Sequence, residues 1–155
     1  MTTRTSALLP FVLLLSAGAA AAAPNFSGDW NLNPARSKYG QFPAPSALTR
    51  KIHHADPVLN MSTTQKGAQG EVTTELKYTT DGKPAVNKLA TGDAQGSAHW
   101  EGDRLVIESA RAVQGGQAKQ KETWTLSDGG KTLTIVTHIT VPQGEFDVTQ
   151  VLEKQ

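Results

Sequence analysis

The sequence predicts an all-β chain, an antiparallel up-and-down barrel of about ten strands, and three observations predict it. After Asn25 nearly every segment alternates apolar with polar residues and is rich in Thr, Val and Ile. The segments stop at Gly, Asp, Asn or Pro turns spaced roughly 8–12 residues apart, the interval of sandwiches and barrels. No apolar pattern of helical period continues beyond about two turns.

The elements follow in order. Residues 28–33 form the first strand, and Asn33-Pro34-Ala35-Arg36-Ser37 then offers one helical turn, a capping Asn before a proline suited to the first helical position. Residues 39–45, Tyr-Gly-Gln-Phe-Pro-Ala-Pro, make a long connection that reads either as a portal flap or as a rigid strap across one barrel end. Strands at 46–54 and 58–65 pair around Asp56-Pro57. Strands at 71–79 and 84–91 make a hairpin about Asp81-Gly82, where the glycine supplies positive φ. Residues 95–100 join 104–113 through Glu101-Gly102-Asp103, and 117–126 join 131–141 through Ser127-Asp128-Gly129-Gly130. Residues 145–153 are the last strand. Tight turns between neighbours make a meander, and a flat sheet of this width would leave two long unpaired edges that closure removes. The same spacing fits a β-sandwich, which stays open as the alternative.

A period of two assigns the faces. Val72, Leu76 and Tyr78 share one side, as do Leu105 with Ile107, then Leu133, Ile135 and Ile139, and finally Phe146, Val148 and Leu152. Glu71, Glu75, Lys77, Arg104, Glu108 and Asp147 fall on the other, the solvent side.

Residues 1–23 read as a secretory signal: Arg4, an apolar run over residues 8–15, and an alanine tract ending at Ala23, with cleavage expected after Ala21 or Ala22. The apolar run is far shorter than the ~20 residues of a spanning helix. Residues 24–155 are then one exported barrel domain, periplasmic or extracellular. With no cysteine, there is neither a disulfide nor a lipid-anchored thiol, so burial alone must hold the fold. Losing Arg4 leaves 14 basic against 14 acidic residues. No basic stripe marks nucleic-acid binding, and no polybasic cluster marks an anionic membrane surface.

The segment Phe26-Ser27-Gly28-Asp29-Trp30-Asn31-Leu32 carries Gly-x-Trp on the first strand and resembles the start of the lipocalins and the wider calycin superfamily. The length, strand count and meander are similar to its ten-stranded fatty-acid-binding branch. The resemblance implies a Trp30 packed at the closed end and a ligand inside the barrel. Lipocalins also have a Thr-Asp-Tyr region and a late Arg stacked on the Trp. Here the only cation at the end is Lys154, one residue beyond the last expected strand. Over nearly its whole length the chain resembles small exported bacterial proteins of unassigned function. They share Phe-Ser-Gly-x-Trp-x-Leu-Asn-Pro-x-x-Ser-Lys early and Trp-Thr-Leu-Ser-Asp-Gly-Gly-Lys-Thr-Leu late.

Catalytic and metal chemistry find little support. His53, His54, His99 and His138 all fall on strands; the first two are adjacent and face opposite ways, and the others are distant, so they read as partly exposed residues and not as a metal site. Ser27, Ser62, Ser97 and Ser109 sit in no Gly-x-Ser-x-Gly elbow. The glycine pairs at 115–116 and 129–130 lie in hairpin turns, so no phosphate-cradling loop opens a helix. Glu122 alone among the acids shares the inward side, with Gln120 and Trp124, and one inward acid is no dyad. No cofactor is expected, and the chain is expected not to be an enzyme.

The constellation that carries chemistry is polar residues on inward faces: Arg50 between Leu48 and Ile52, Arg111 beyond Ile107, and Gln150 between Val148 and Leu152. A buried guanidinium is costly unless paired, so an inward arginine in a wet cavity suits an anionic head group. Tyr78, Trp100 and Trp124 would be the walls. The bland alternative is that both arginines reach solvent at strand ends and the aromatics fill the core. Small inward residues, Thr74, Ala98, Ser109 and Thr137, favour a cavity. The expected function is binding of a small apolar or amphipathic molecule inside the barrel. The alternative is a solid-cored module that acts by surface contacts with other envelope or secreted proteins.

Overall fold

Strands account for most of residues 22–155, the span described by the computed structural model. The expected signal segment lies outside the described residues except for Ala22 and Ala23. The strands are β1 (Gly28–Leu32), β2 (Ala47–Ala55), β3 (Val58–Gly67), β4 (Gly70–Thr79), β5 (Ala85–Leu89), β6 (Gly92–Glu101), β7 (Arg104–Val113), β8 (Gly116–Ser127), β9 (Thr132–Val141) and β10 (Gly144–Lys154). A single 3-10 turn at Asp128–Gly130 is the only helical element among the described residues. Asn33 does cap the Pro34 turn, its Oδ1 accepting from Arg36 N at 3.2 Å, but no helix grows from it.

All ten strands are antiparallel in one sheet of order β4-β3-β2-β1-β10-β9-β8-β7-β6-β5. β1 pairs with β10, Trp30 opposite Lys154, and the sheet curls into a nearly closed up-and-down barrel, not a sandwich.

Closure is incomplete, and the gap falls where the sequence predicts a hairpin. β4 and β5 share no ladder. Beyond β4 the chain turns to β6 instead, Gly82 N donating to Ala98 O at 2.8 Å and Asp81 bridging His99. Pro84 has no N–H with which to zip a hairpin. The Asn87 carboxamide takes the place of the missing ladder. Its Oδ1 accepts from Lys77 N at 2.7 Å and its Nδ2 donates to Lys77 O at 3.2 Å, so a buried side chain satisfies a strand edge.

The core fills the end opposite the strap. Phe26, just before β1, plugs it, fully buried against the ring of Trp124 (5.5 Å, edge-on) and that of Trp100 (5.9 Å, stacked). Leu59, Leu105, Leu133, Ile135 and Leu152 surround it with no exposed surface. Each such side chain contributes about 1.5–3 kcal/mol of burial, which is how a chain without disulfides holds together. The Trp30 indole N–H donates to Phe26 O at 3.0 Å, tying the plug to the first strand.

Lys154 is not past the strand. β10 extends one residue further than the alternation indicates, and the Lys154 Nζ lies 5.3 Å from the centre of the Trp30 ring. Gly28 permits this: a Cβ there would stand 2.6 Å from Lys154 Cε. Gly-x-Trp is therefore one device, the glycine leaving the lane along which the lysine reaches the indole.

His54 is buried, contrary to the partly exposed reading. Its Nδ1 accepts from Phe26 N at 3.2 Å, so the ring proton is on Nε2, which donates to Asp56 Oδ1 at 3.0 Å. Thr80 Oγ1 and Trp100 Nε1 donate to the same oxygen. With Thr80 as the main cause, these bonds hold the Asp56 carboxyl below its ordinary range. The cluster fastens the plug to β2 and the β4–β6 crossing.

Candidate functional site

Above the plug the inward residues become small or polar and the barrel hollows. One cavity of about 630 Å³ opens at the strap end, beneath Tyr39, Phe42 and Pro43 and between the β3–β4 turn and β8–β10. A second, of about 470 Å³, runs to the β4–β5 gap past Tyr78, Leu89 and Ala94. Arg50, Gln65, Val72 and Gln120 line both, so the two are branches of one interior space. Volumes of this order suit small-molecule sites. Val72 is half exposed although its face is inward, because it stands where the space meets solvent.

Arg50 stands at the junction, 8 % exposed. Alternation along β2 sends it inward, into the space that both branches share. Its Nε donates to Thr63 Oγ1 at 2.9 Å and its guanidinium carbon lies 5.4 Å from the centre of the Trp124 ring. Nη1 has no hydrogen-bond partner among the described residues. Burial works against the charge, while Glu122 and Tyr39 favour it. A buried guanidinium with an unpartnered Nη1 is unusual and marks a place where an acceptor is missing.

The other expected residues separate by height along the barrel. Gln150 lines the strap-end branch and donates to the Tyr39 hydroxyl at 3.2 Å. Tyr78 and Arg111 line the gap branch. Burial, reinforced by Glu122, pushes the Tyr78 phenol up. Arg111 is half-buried, with Nη1 donating to Thr91 Oγ1 at 3.2 Å, about halfway between the inward and solvent-reaching alternatives. Trp124 is the floor beneath Arg50, fully buried. Trp100 is not among the cavity walls: it faces inward but at the plugged end, between Phe26 and His54. Of the small residues, Thr74, Ser109 and Thr137 line the space, and Ala98 lies in the core.

Two participants went unrecognised as site residues. Tyr39 descends from the strap, and burial raises its phenol, opposed by Gln150 and Arg50. The segment lies across the cavity mouth: Lys38, just before it, bridges Thr149 on β10, and Phe42 packs edge-on against Phe146 at 5.2 Å. Glu122, set aside as a lone acid, faces Arg50 across the strap-end branch, and its Oε2 accepts from Trp124 Nε1 at 2.7 Å.

No family model matches the chain, and no curated protein matches it in sequence. Solved structures do. Zebrafish ileal bile acid-binding protein, solved with cholic acid, aligns at a TM-score of 0.59 with 19 % identity, over 84 % of this chain and 98 % of its own. A secretory abundant heat soluble protein from Ramazzottius varieornatus aligns at 0.63 with 10 % identity, over 86 % and 98 %. Secretory abundant heat soluble protein 4 from the same organism aligns at 0.57 with 12 % identity, over 89 % and 99 %. At these identities the likeness is one of fold: the chain shares with them a ten-stranded, nearly closed barrel.

Proposed function

We propose that the protein is an exported, non-enzymatic carrier that holds a small amphipathic anion inside the barrel, with the head group on Arg50 and the apolar part in the two branches. The observation that carries this is the Arg50 Nη1, buried at the meeting of both branches and without an acceptor among the described residues. A carboxylate there would complete the charge-assisted pairing that Thr63 only begins. One structural neighbour was solved with cholic acid, itself an amphipathic carboxylic acid. Export is the reading of the first 23 residues and rests on the sequence alone.

The test is titration of a fluorescent fatty acid, dansyl-undecanoate, into the native chain and into Arg50→Met. Saturable binding in the micromolar range, weakened at least about tenfold in the variant, is expected from the loss of a charged hydrogen bond. Absence of saturable binding by the folded protein would overturn the carrier reading in favour of a surface-contact module. Equal affinity of the variant would remove Arg50 as the anchor.

A further inference from the structure

Trp124 positions two opposite charges at once. Its ring face lies under the Arg50 guanidinium, 5.4 Å from centre to carbon, while its indole N–H holds Glu122 Oε2 at 2.7 Å. Thr63 fixes the guanidinium from the other side through Nε. The Glu122 carboxylate favours the charged form of Arg50, yet among the described residues the two form no direct ion pair. Arg50 Nη1 is buried with no acceptor among the described residues, and Trp124 occupies only one of the two Glu122 oxygens, Oε2. Both groups line the strap-end branch.

An unpaired acid beside the anchor changes which head group fits. A plain carboxylate bound at Arg50 gains the guanidinium but places a second negative charge in the branch that Glu122 also lines, where the two charges repel. A head group with a hydrogen-bond donor beside its anion avoids this, because it offers the anion to Arg50 and the donor to Glu122. Both protein groups are already held, Arg50 by Thr63 and Glu122 by the Trp124 indole, which limits the reorganisation needed to receive it.

We propose that the cavity selects amphiphiles whose anionic group carries a neighbouring donor, hydroxyl or ammonium, over simple fatty acids, and that Glu122 is the specificity-determining residue. This rests on the carrier reading above. Glu122 belongs to the binding site as the partner of the ligand donor, while Trp124 acts as a positioning residue beneath both charges.

The experiment compares dodecanoate with 3-hydroxydodecanoate, which differ by one hydroxyl, by isothermal titration calorimetry against the native chain, Glu122→Gln and Arg50→Met. The native chain is expected to bind the hydroxy acid about tenfold more tightly, the worth of one charge-assisted hydrogen bond. In Glu122→Gln, which keeps an acceptor for the Trp124 indole, dodecanoate should bind more tightly than in the native chain and the preference should shrink to about threefold or less, since neutral hydrogen bonds are roughly half as strong. Equal affinities in the native chain, or an undiminished preference in Glu122→Gln, would overturn the inference. If both acids bind equally and Arg50→Met weakens both, the carrier reading survives and this one falls. If neither binds the folded native protein, both fall. The native comparison stands even if Glu122→Gln does not fold.

Discussion

Asn87→Ala tests the incomplete closure that gives the cavity its second branch. In an antiparallel pair alternate residues point their N–H and C=O away from the partner strand. Lys77 on β4 does so towards β5, and Asn87 receives both groups at 2.7 and 3.2 Å. The alanine variant loses both bonds, at about 1 kcal/mol net each. It also leaves two backbone groups to find water inside a cleft walled by Leu76 and Leu89, so the loss of stability should be about 2–4 kcal/mol.

Equilibrium urea unfolding followed by tryptophan fluorescence reads this directly, because Trp30, Trp100 and Trp124 all lie near the plugged end. At slopes typical of small domains the midpoint should fall by roughly 1–2 M. Hydrogen exchange at the Lys77 amide should accelerate more than at Met61, which lies within the continuous β3 ladder. Asn87→Asp sharpens the result. It retains the acceptor for Lys77 N but turns a second oxygen towards Lys77 O, so it should be destabilised near neutral pH and recover as the new carboxyl is protonated. A loss under about 0.5 kcal/mol in Asn87→Ala, with Lys77 exchange unchanged, would show that the side chain does not hold the gap.

Asp56 titrates below its ordinary 3.8, so its bonds to Thr80, His54 and Trp100 add stability above pH 3.8 that is lost as pH falls through the lower folded value; Asp56→Asn should flatten the acid limb of stability against pH, and an unaltered limb would refute this. His138 titrates above 6.5 chiefly because of its hydrogen bond to Asp147, so that contribution is present below pH 6.5 and lost as pH rises past the raised value; NMR titration should find the shift and Asp147→Asn should reduce it, with Glu145 keeping a smaller part. Lys154→Met should cost about 0.5–1 kcal/mol by thermal unfolding, with Lys154→Arg close to neutral, whereas equal losses in the two would deny any cation–π contribution. Gly28→Ala should cost about 1–3 kcal/mol, because φ of 144° disfavours any side chain and the new methyl displaces Lys154 from Trp30.

Particular residues mark how far the sequence could be read. Strand existence was legible because Leu48, Arg50, Ile52 and His54 alternate with Thr49, Lys51 and His53, and all four inward members are buried. Arg50 was found as an inward cation by the same rule. Trp100 was placed on the correct face but at the wrong depth, since alternation gives a side and not a height. Asn87 is absent from the sequence reading, because its role as a substitute for a ladder exists only once the neighbouring strand is known to be unpaired. Glu122 was visible as an inward acid, but nothing in the chain order brings it opposite Arg50, 72 positions away, with Trp124 between them.

The sequence by itself determined the strands, their meander apart from the expected β4–β5 hairpin, and the side of the sheet on which the alternating residues fall. These follow from a backbone that reverses its side chains at every step and from turns formed within a few residues, both local properties of the chain. Only the tertiary structure decided where the sheet fails to close, which inward residues share a level, and that one indole contacts both an arginine and a glutamate. Those depend on the tilt and stagger of ten strands together, a quantity set by the packing of the whole barrel and carried by no single segment.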